Sequence, residues 1–241
     1  MLRPFFIAVQ FLTRCPVPAQ YDISSLDLGR SVLYYPVVGL CIGSLLYLSQ
    51  YLLSGVDAIL QSALLLVIWV MVTGALHLDG LADSADAWLG GYGSREKTLH
   101  IMKDPQCGPM GVVVVVLVLL IKYASLVVVI EHDLPVYLIV APFVARALII
   151  WLFLTTAYVR ADGIGAQHAM YIPRTQAKII VAVCAAGFAL SQGIVVLLMI
   201  VIFAYALRHL MRVRLGGTTG DTAGALIEIT EALALVMLTQ W

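Results

Sequence analysis

The chain alternates long apolar runs with short polar stretches. The runs cover residues 31–53, 59–78, 112–130, 135–155, 178–190, 194–207 and 223–239. A hydrocarbon core of about 30 Å needs about 20 mostly apolar residues per helix, fewer where the ends snorkel, so each run predicts a membrane-spanning helix. The fifth and sixth runs are short, and Ser191-Gln192-Gly193 between them fits either one long span or a tight helical hairpin. Ahead of the first run, residues 5–12 are apolar between Arg3 and Arg14, with no small-x-small cleavage site. That stretch predicts a retained interfacial helix at about residues 4–14 rather than a cleaved signal.

Composition supports this class. Apolar residues make up 62% of the chain and charged residues 12%, against about 45–50% and about 25% in soluble domains. An ordinary globular domain and a charged disordered chain are both excluded. Fourteen Lys and Arg balance fourteen Asp and Glu, and this bulk balance does not point to a nucleic-acid partner. The four cysteines form no CxxC pair, which argues against a zinc knuckle or a disulfide framework.

The placement of charge resolves the hairpin. Arg3, Arg14 and Arg30 precede the first run; Arg95, Lys97 and Lys103 lie between the second and third. Arg160, Arg174 and Lys178 lie between the fourth and fifth, and Arg208, Arg212 and Arg214 follow the sixth. With seven spans, all of these cations share one face, while the opposite loops hold Asp57, Glu131 and Asp133 and no Lys or Arg. Merging the fifth and sixth runs would move three arginines to the other side, against the positive-inside rule. The expectation is a single-domain, all-α, polytopic membrane helical bundle of about seven transmembrane helices, with its N-terminus and larger loops cytoplasmic.

At the end of the second run the chain reads HLDGLADSAD, residues 77–86. Asp79, Asp83 and Asp86 stand at i, i+4 and i+7 and share an arc of about 60° on one helix face. Like charges at that spacing repel, carboxylates near a helix C-terminus oppose its dipole, and partial desolvation adds to the cost. A divalent cation relieves all three penalties, and oxygen-only ligands suit Mg²⁺ or Mn²⁺. A solvated acidic helix end is the plainer alternative. His77 lies on another face of the same segment and is assigned to the substrate side rather than to ligation.

Further candidates lie in the cytoplasmic loops. Ser94 is placed to cap a short amphipathic helix stopped by Pro105, and Gly108-Pro109 suits the start of the third span. Between them, Lys103 is a candidate phosphate holder, and Asp104 a candidate metal ligand or general base. Arg160-Ala161-Asp162-Gly163-Ile164-Gly165 opens one loop, and Gly216-Gly217-Thr218-Thr219-Gly220-Asp221 leads into the last span. Asp221 is either an N-cap or a site residue. Glu228 lies about 10 Å deeper, with Arg146 of the fourth run as its expected partner; Lys122 is expected to snorkel or to face the bundle.

Together these residues outline a cytoplasm-facing site with the parts that metal-dependent phosphoryl transfer requires: a cation site, helix N-termini and basic side chains around transferring oxygens. At this point HLDGLADSAD and IMKDPQCGPMG (residues 101–111) resemble the cobalamin-5'-phosphate synthase family, the adenosylcobinamide-GDP ribazoletransferases. FLTRCPVP at 11–18, YPVVGLCIG at 35–43, RADGIG at 160–165 and GGTTGD at 216–221 extend the resemblance along nearly the whole chain. Ala87 stands where a glycine is expected after the third acid.

The resemblance implies a Mg²⁺-dependent enzyme of the bacterial inner membrane, active on the cytoplasmic side. A ribose hydroxyl of α-ribazole, or of its 5'-phosphate, would attack the cobinamide-side phosphorus of adenosylcobinamide-GDP, and GMP would leave. Asp79, Asp83 and Asp86 would hold the metal (Mg²⁺, or Mn²⁺), and Asp83, Lys103 and Asp104 would serve the chemistry. His77, Arg160, Asp162, Asp221, Arg146 and Glu228 would form the substrate side. The expected partners are the two substrates and the lipid bilayer, with no nucleic acid and with a homo-oligomer left open. Two other readings stand beside it: a CDP-alcohol phosphotransferase-like lipid enzyme, and a cation-coupled transporter using Glu228 and Arg146 at mid-membrane.

Overall fold

The computed structural model describes residues 2–18, 22–160, 163 and 165–240. Among these residues the regular structure is helical, with one isolated β-bridge between Tyr158 and Thr218. Helix α1 (Arg3–Leu12) and α2 (Ser25–Ser31) lead through a 3₁₀ turn (Val32–Tyr34) into α3 (Tyr35–Leu52). Next come α4 (Ala58–Thr73), α5 (Leu76–Gly90), the short α6 (Arg95–Ile101), α7 (Pro109–Glu131) and α8 (Tyr137–Thr155). The short α9 (Gly165–Met170), α10 (Arg174–Gln192), α11 (Ile194–Leu215) and α12 (Gly220–Gln240) complete the chain.

Ser25–Leu52, α7, α8, α10, α11 and α12 are each long and apolar enough to cross a membrane. Helices α4 and α5 are long and apolar enough for a seventh crossing only when taken together, and there the expectation of one helix through residue 78 is corrected. The chain bends by 87° between α4 and α5. Gly74 and Ala75 both adopt left-handed backbone angles, and the Gly74 and Ala75 N–H groups close the end of α4 on Met71 and Val70 carbonyls. That closure stops a helix whatever the hydropathy of the residues beyond it. The Arg14 N–H donates to the Val72 carbonyl at 2.7 Å, docking the end of α1 on the break.

The short fifth and sixth runs form two full helices joined at Gly193. They are antiparallel: Arg174 at the start of α10 donates to the Leu154 carbonyl, and Arg208 near the end of α11 donates to the Thr156 hydroxyl, both at the end of α8. The hairpin selected by the arginines is the one observed. Its helices are the least buried, with Ile179, Val183, Leu190 and Ile202 exposed, whereas α8 and α12 are buried over most of their length. Such an apolar surface suits lipid contact and would associate in water.

Close approach organises the centre. Gly39 and Gly43, spaced as in small-xxx-small pairs, lie against the backbone of α8; a Cβ at Gly43 would stand 2.4 Å from the Ile139 Cα. Deeper in the bundle, four charges pair among themselves. Lys122 of α7 bonds Glu228 at 2.6 Å and also bonds Glu231, and Arg146 of α8 bonds Glu231. The Lys122 ammonium sits 4.7 Å from the centroid of the Trp69 ring. Arg146 is thus the partner of Glu231 rather than of Glu228 as expected, because Lys122 faces the bundle and takes Glu228. Two cations and two carboxylates cancel in charge, as a hydrocarbon environment requires, while Arg146 Nε and Nη2 are buried with no hydrogen-bond partner among the described residues.

The pairing pattern ranks the acids. Glu231→Gln leaves Arg146 without its carboxylate partner and should cost about 3–5 kcal/mol, the range for breaking a buried pair. Glu228→Gln should cost less, because Lys122 retains Glu231. Adding Arg146→Gln to Glu231→Gln should recover part of the loss. Melting temperatures in detergent test the ranking, and a larger loss in Glu228→Gln would reverse the assignment.

Candidate active site

The site lies where α5 passes the first turns of α12. Gly80 allows the contact: a Cβ there would stand 2.9 Å from the Asp221 Cα. This approach brings Asp79 of α5 beside Asp221 of α12. The two glycine-rich segments meet at the same place. The Val159 N–H donates to the Thr218 carbonyl at 2.9 Å, and the Thr218 N–H donates to Ala157 at 2.8 Å. Asp221 lies in the first turn of α12 but does not cap it. Thr219 does so, with its hydroxyl accepting from the Thr222 N–H at 3.2 Å.

The Asp221 carboxylate instead holds Arg160, at 2.7 Å from Nη1. The other guanidinium nitrogens of Arg160, Nε and Nη2, are buried and have no hydrogen-bond partner. A guanidinium presents two parallel N–H groups, a geometry that suits a carboxylate or a phosphate. Arg160, Asp79, His77 and Asp221 all line one cavity of about 690 Å³, within the about 300–1,000 Å³ usual for small-molecule sites. His77 also has a buried, unpartnered Nδ1.

The three acids of α5 divide their tasks. Asp79 lines the cavity. Asp83, in the stretch of α5 beyond the bend from α4, has its pKa pushed up to about 6 by burial, then by the charges of Asp79 and Asp221, with Arg160 opposing. Asp86 faces the start of α7, accepting from the Gly108 N–H at 2.7 Å and the Gly111 N–H at 2.9 Å. It therefore serves as an acidic cap across helices, where a helix N-terminus favours negative charge.

Among the described residues, no group of three or more His, Cys, Asp and Glu is close enough to hold a metal by itself. The donor chemistry nevertheless fits Mg²⁺, which is commonly held by one or two carboxylates together with substrate phosphates. Asp79 lines the cavity together with Arg160, and its charge acts on Asp83, the next acid along α5, which lies outside the cavity lining.

Several other expected site residues lie apart. Lys103 and Asp104 are exposed and do not line the cavity; Asp104 accepts from the Gln106 N–H at 3.0 Å, turning the loop toward α7. Ser94 caps α6 and Gly108 precedes α7, as their residue types predict. Arg146 and Glu228 belong to the deeper charge set. Asp162 lies outside the described residues.

The cavity also includes residues to which the sequence had assigned no role. Tyr158 packs beside Gly163, Gly165 and Gly220; burial and then the Asp221 charge raise its phenol pKa, opposed by the backbone groups of Gly220 and Gly165. Phe11, Arg14, Tyr35 and His168 form further parts of the wall. The available signal for Phe11, Arg14 and Tyr35 was their place in FLTRCPVP and YPVVGLCIG, which carried resemblance without a role.

The profile of the cobalamin-5-phosphate synthase family matches residues 4–239. The adenosylcobinamide-GDP ribazoletransferase of Pseudomonas putida GB-1 is 53% identical over 236 residues, covering 98% of each chain. That of Pseudomonas fluorescens Pf0-1 is 51% identical over 240 residues, covering 98% of this chain and 99% of its own. The Stutzerimonas stutzeri A1501 protein of the same name is 50% identical over 240 residues, covering 98% of each. No solved structure matches. With a helical bundle whose glycine-rich segments converge on one acid- and arginine-lined cavity, and with this likeness along its whole length, the chain belongs to the cobalamin-5-phosphate synthase family.

Proposed function

We propose that this membrane transferase of cobalamin synthesis joins adenosylcobinamide-GDP to α-ribazole, or to its 5'-phosphate, at the Asp79–Arg160–Asp221 cavity. A ribose hydroxyl oxygen forms a bond to the cobinamide-side phosphorus, and the phosphoanhydride bond to GMP breaks. The hydroxyl proton leaves to the Asp79–Asp83 carboxylate group. The products are adenosylcobalamin, or its 5'-phosphate, and GMP. The observation that carries this reading is the Arg160–Asp221 pair, at 2.7 Å, in the wall of the same cavity as Asp79.

Each part has a physical task. Asp221 orients Arg160 through one nitrogen, holding its positive charge in the cavity wall for phosphoryl oxygens. Asp79 and Asp83 would hold Mg²⁺, which when bound neutralises charge on the transferring phosphoryl group. Asp86 keeps α5 fixed against α7. Asp83, Arg160 and Asp221 are half-buried and Asp79 is exposed, so the partial exclusion of water from the first three strengthens their electrostatic effect. By the positive-inside rule the arginine-rich loops, and this cavity with them, face the cytoplasm.

A GMP-release assay with purified protein, Mg²⁺ and both substrates tests the activity directly. Asp79→Asn and Asp83→Asn should each lower turnover by about 100-fold or more while leaving the melting temperature unchanged or raised, since each relieves repulsion. Asp86→Asn should instead lower stability by about 1 kcal/mol, the worth of a lost cap. Near-normal turnover in both the Asp79 and the Asp83 variant would remove the cation site.

The raised pKa of Asp83 adds a pH dependence. Below about pH 6 the folded protein keeps a proton on Asp83 that a divalent cation must displace. Mg²⁺ affinity should therefore fall as pH drops from 7 to 5, and Asp83→Asn should flatten that dependence. The same shift makes the metal-free protein less stable as pH rises from the unfolded value of 3.8 towards 6, because the unfolded chain ionises first.

Sidedness has its own test. In a cysteine-free background, Lys97→Cys should resist an impermeant thiol reagent on intact cells and His132→Cys should react. The opposite pattern would invert the topology.

A further inference from the structure

The cavity has a second end that the phosphoryl-transfer reading does not use. Here Phe11 of α1 stacks on His168 of α9, with centroids 4.5 Å apart and planes at 26°. Tyr35 of α3 lies behind them, its hydroxyl 3.0 Å from His168 Nδ1. Phe11, Tyr35 and His168 line the cavity that also holds Asp79 and Arg160. Ile7, Leu12 and Leu28 add apolar side chains to this wall, and Gln10, Thr13 and Arg14 are its polar members from α1 and the residues after it.

The hydrogen bonds select one form of the imidazole. Ser31 Oγ lies 3.2 Å from His168 Nδ1 but donates its only proton to the Leu28 carbonyl at 2.7 Å. The buried Tyr35 hydroxyl has Nδ1 as its acceptor. Satisfying both buried donors requires an unprotonated Nδ1, so the ring proton sits on Nε2. Burial also holds the pKa of His168 down to about 4, leaving the ring neutral near pH 7. The neutral His168 ring thus keeps an Nε2–H donor beyond the Phe11–Tyr35 bonds and contacts, at a cavity wall.

We propose that this end of the cavity is the base subsite for the ribazole substrate, with Phe11 and its apolar neighbours against the flat benzimidazole and His168 Nε2–H donating to the free imine nitrogen of that base. The inference rests on the proposed transferase reading. An aromatic wall with a fixed imidazole N–H donor matches a flat base that carries one acceptor and no exocyclic donors. The guanine of the other substrate has several donors, which this wall would leave unpaired at a cost. The assignment also places the ribose of the nucleophile between the base subsite and the charged end of the same cavity.

The test uses the full-length protein in detergent, with equilibrium binding of α-ribazole and of its indole analogue, in which CH replaces the imine nitrogen. His168→Leu should weaken α-ribazole binding about five- to tenfold, the worth of one hydrogen bond, and leave indole-analogue binding unchanged. His168→Gln, which retains an N–H donor, should recover part of the loss. Tyr35→Phe, which removes the hydroxyl that selects the tautomer but keeps the ring, should move in the same direction and serves as the readout if His168→Leu fails to fold. The KM for adenosylcobinamide-GDP should not change in folded variants.

Equal losses for α-ribazole and the indole analogue would overturn the donor assignment. A loss confined to the KM for adenosylcobinamide-GDP would assign this end to guanine instead. Unchanged α-ribazole binding in folded His168→Leu and Tyr35→Phe would remove the subsite altogether. Failure of the wild-type protein to release GMP is a separate result, and it would remove the transferase reading first.

Discussion

Everything at the mouth of the bundle depends on how α12 is rotated, and a set of buried charges sets that rotation. Glu228 and Glu231 point into the bundle because Lys122 of α7 and Arg146 of α8 wait there, and turning either acid toward lipid would strand charge on both sides. Asp221 lies seven residues before Glu228, so the same rotation carries it toward the interior face. Gly80 then permits α5 to close on that turn, and Arg160 is drawn in by the carboxylate it meets. Deep electrostatics and shallow chemistry are therefore parts of one helix orientation. The charge set itself is worth little net stability compared with a well-packed apolar substitute, since desolvation offsets much of the attraction. Its contribution is to exclude the other rotations.

The features legible in the sequence are those governed by local or one-dimensional rules. Charge asymmetry distinguished a hairpin from one long helix at Gly193, because moving three arginines across a membrane is costly wherever the helices pack. Ser94 and Gly108-Pro109 marked helix starts through capping and proline geometry, which need no tertiary information. The break at Gly74-Ala75 was hidden inside an unbroken apolar run. Both residues are compatible with a helix there, and only the closure of α4 on its own carbonyls ends it.

Partnerships across helices were less legible for a related reason. Glu228 and Glu231 are one turn apart on the same face, so which one meets Arg146 depends on the crossing of α8 and α12. The acids of α5 share a face by periodicity, yet Asp86 meets backbone N–H groups of α7 while Asp79 meets the cavity. A helical wheel assigns a direction and cannot assign what lies in it. His168 and Tyr158 had no periodicity to announce them, being a histidine and a phenol in a connecting segment whose position follows from the bridge to Thr218.

The cavity wall draws on residues from α1 to the first turns of α12, from Ile7 to Ile227. During synthesis these two contributors emerge far apart in time. A ribosome-bound chain lacking α12 has the aromatic wall but neither Asp221 nor the orientation that Asp221 imposes on Arg160. On the proposed reading, ligand binding at this cavity would become available only when the last helix has been inserted, so substrate would stabilise finished molecules and offer no such help to unfinished ones.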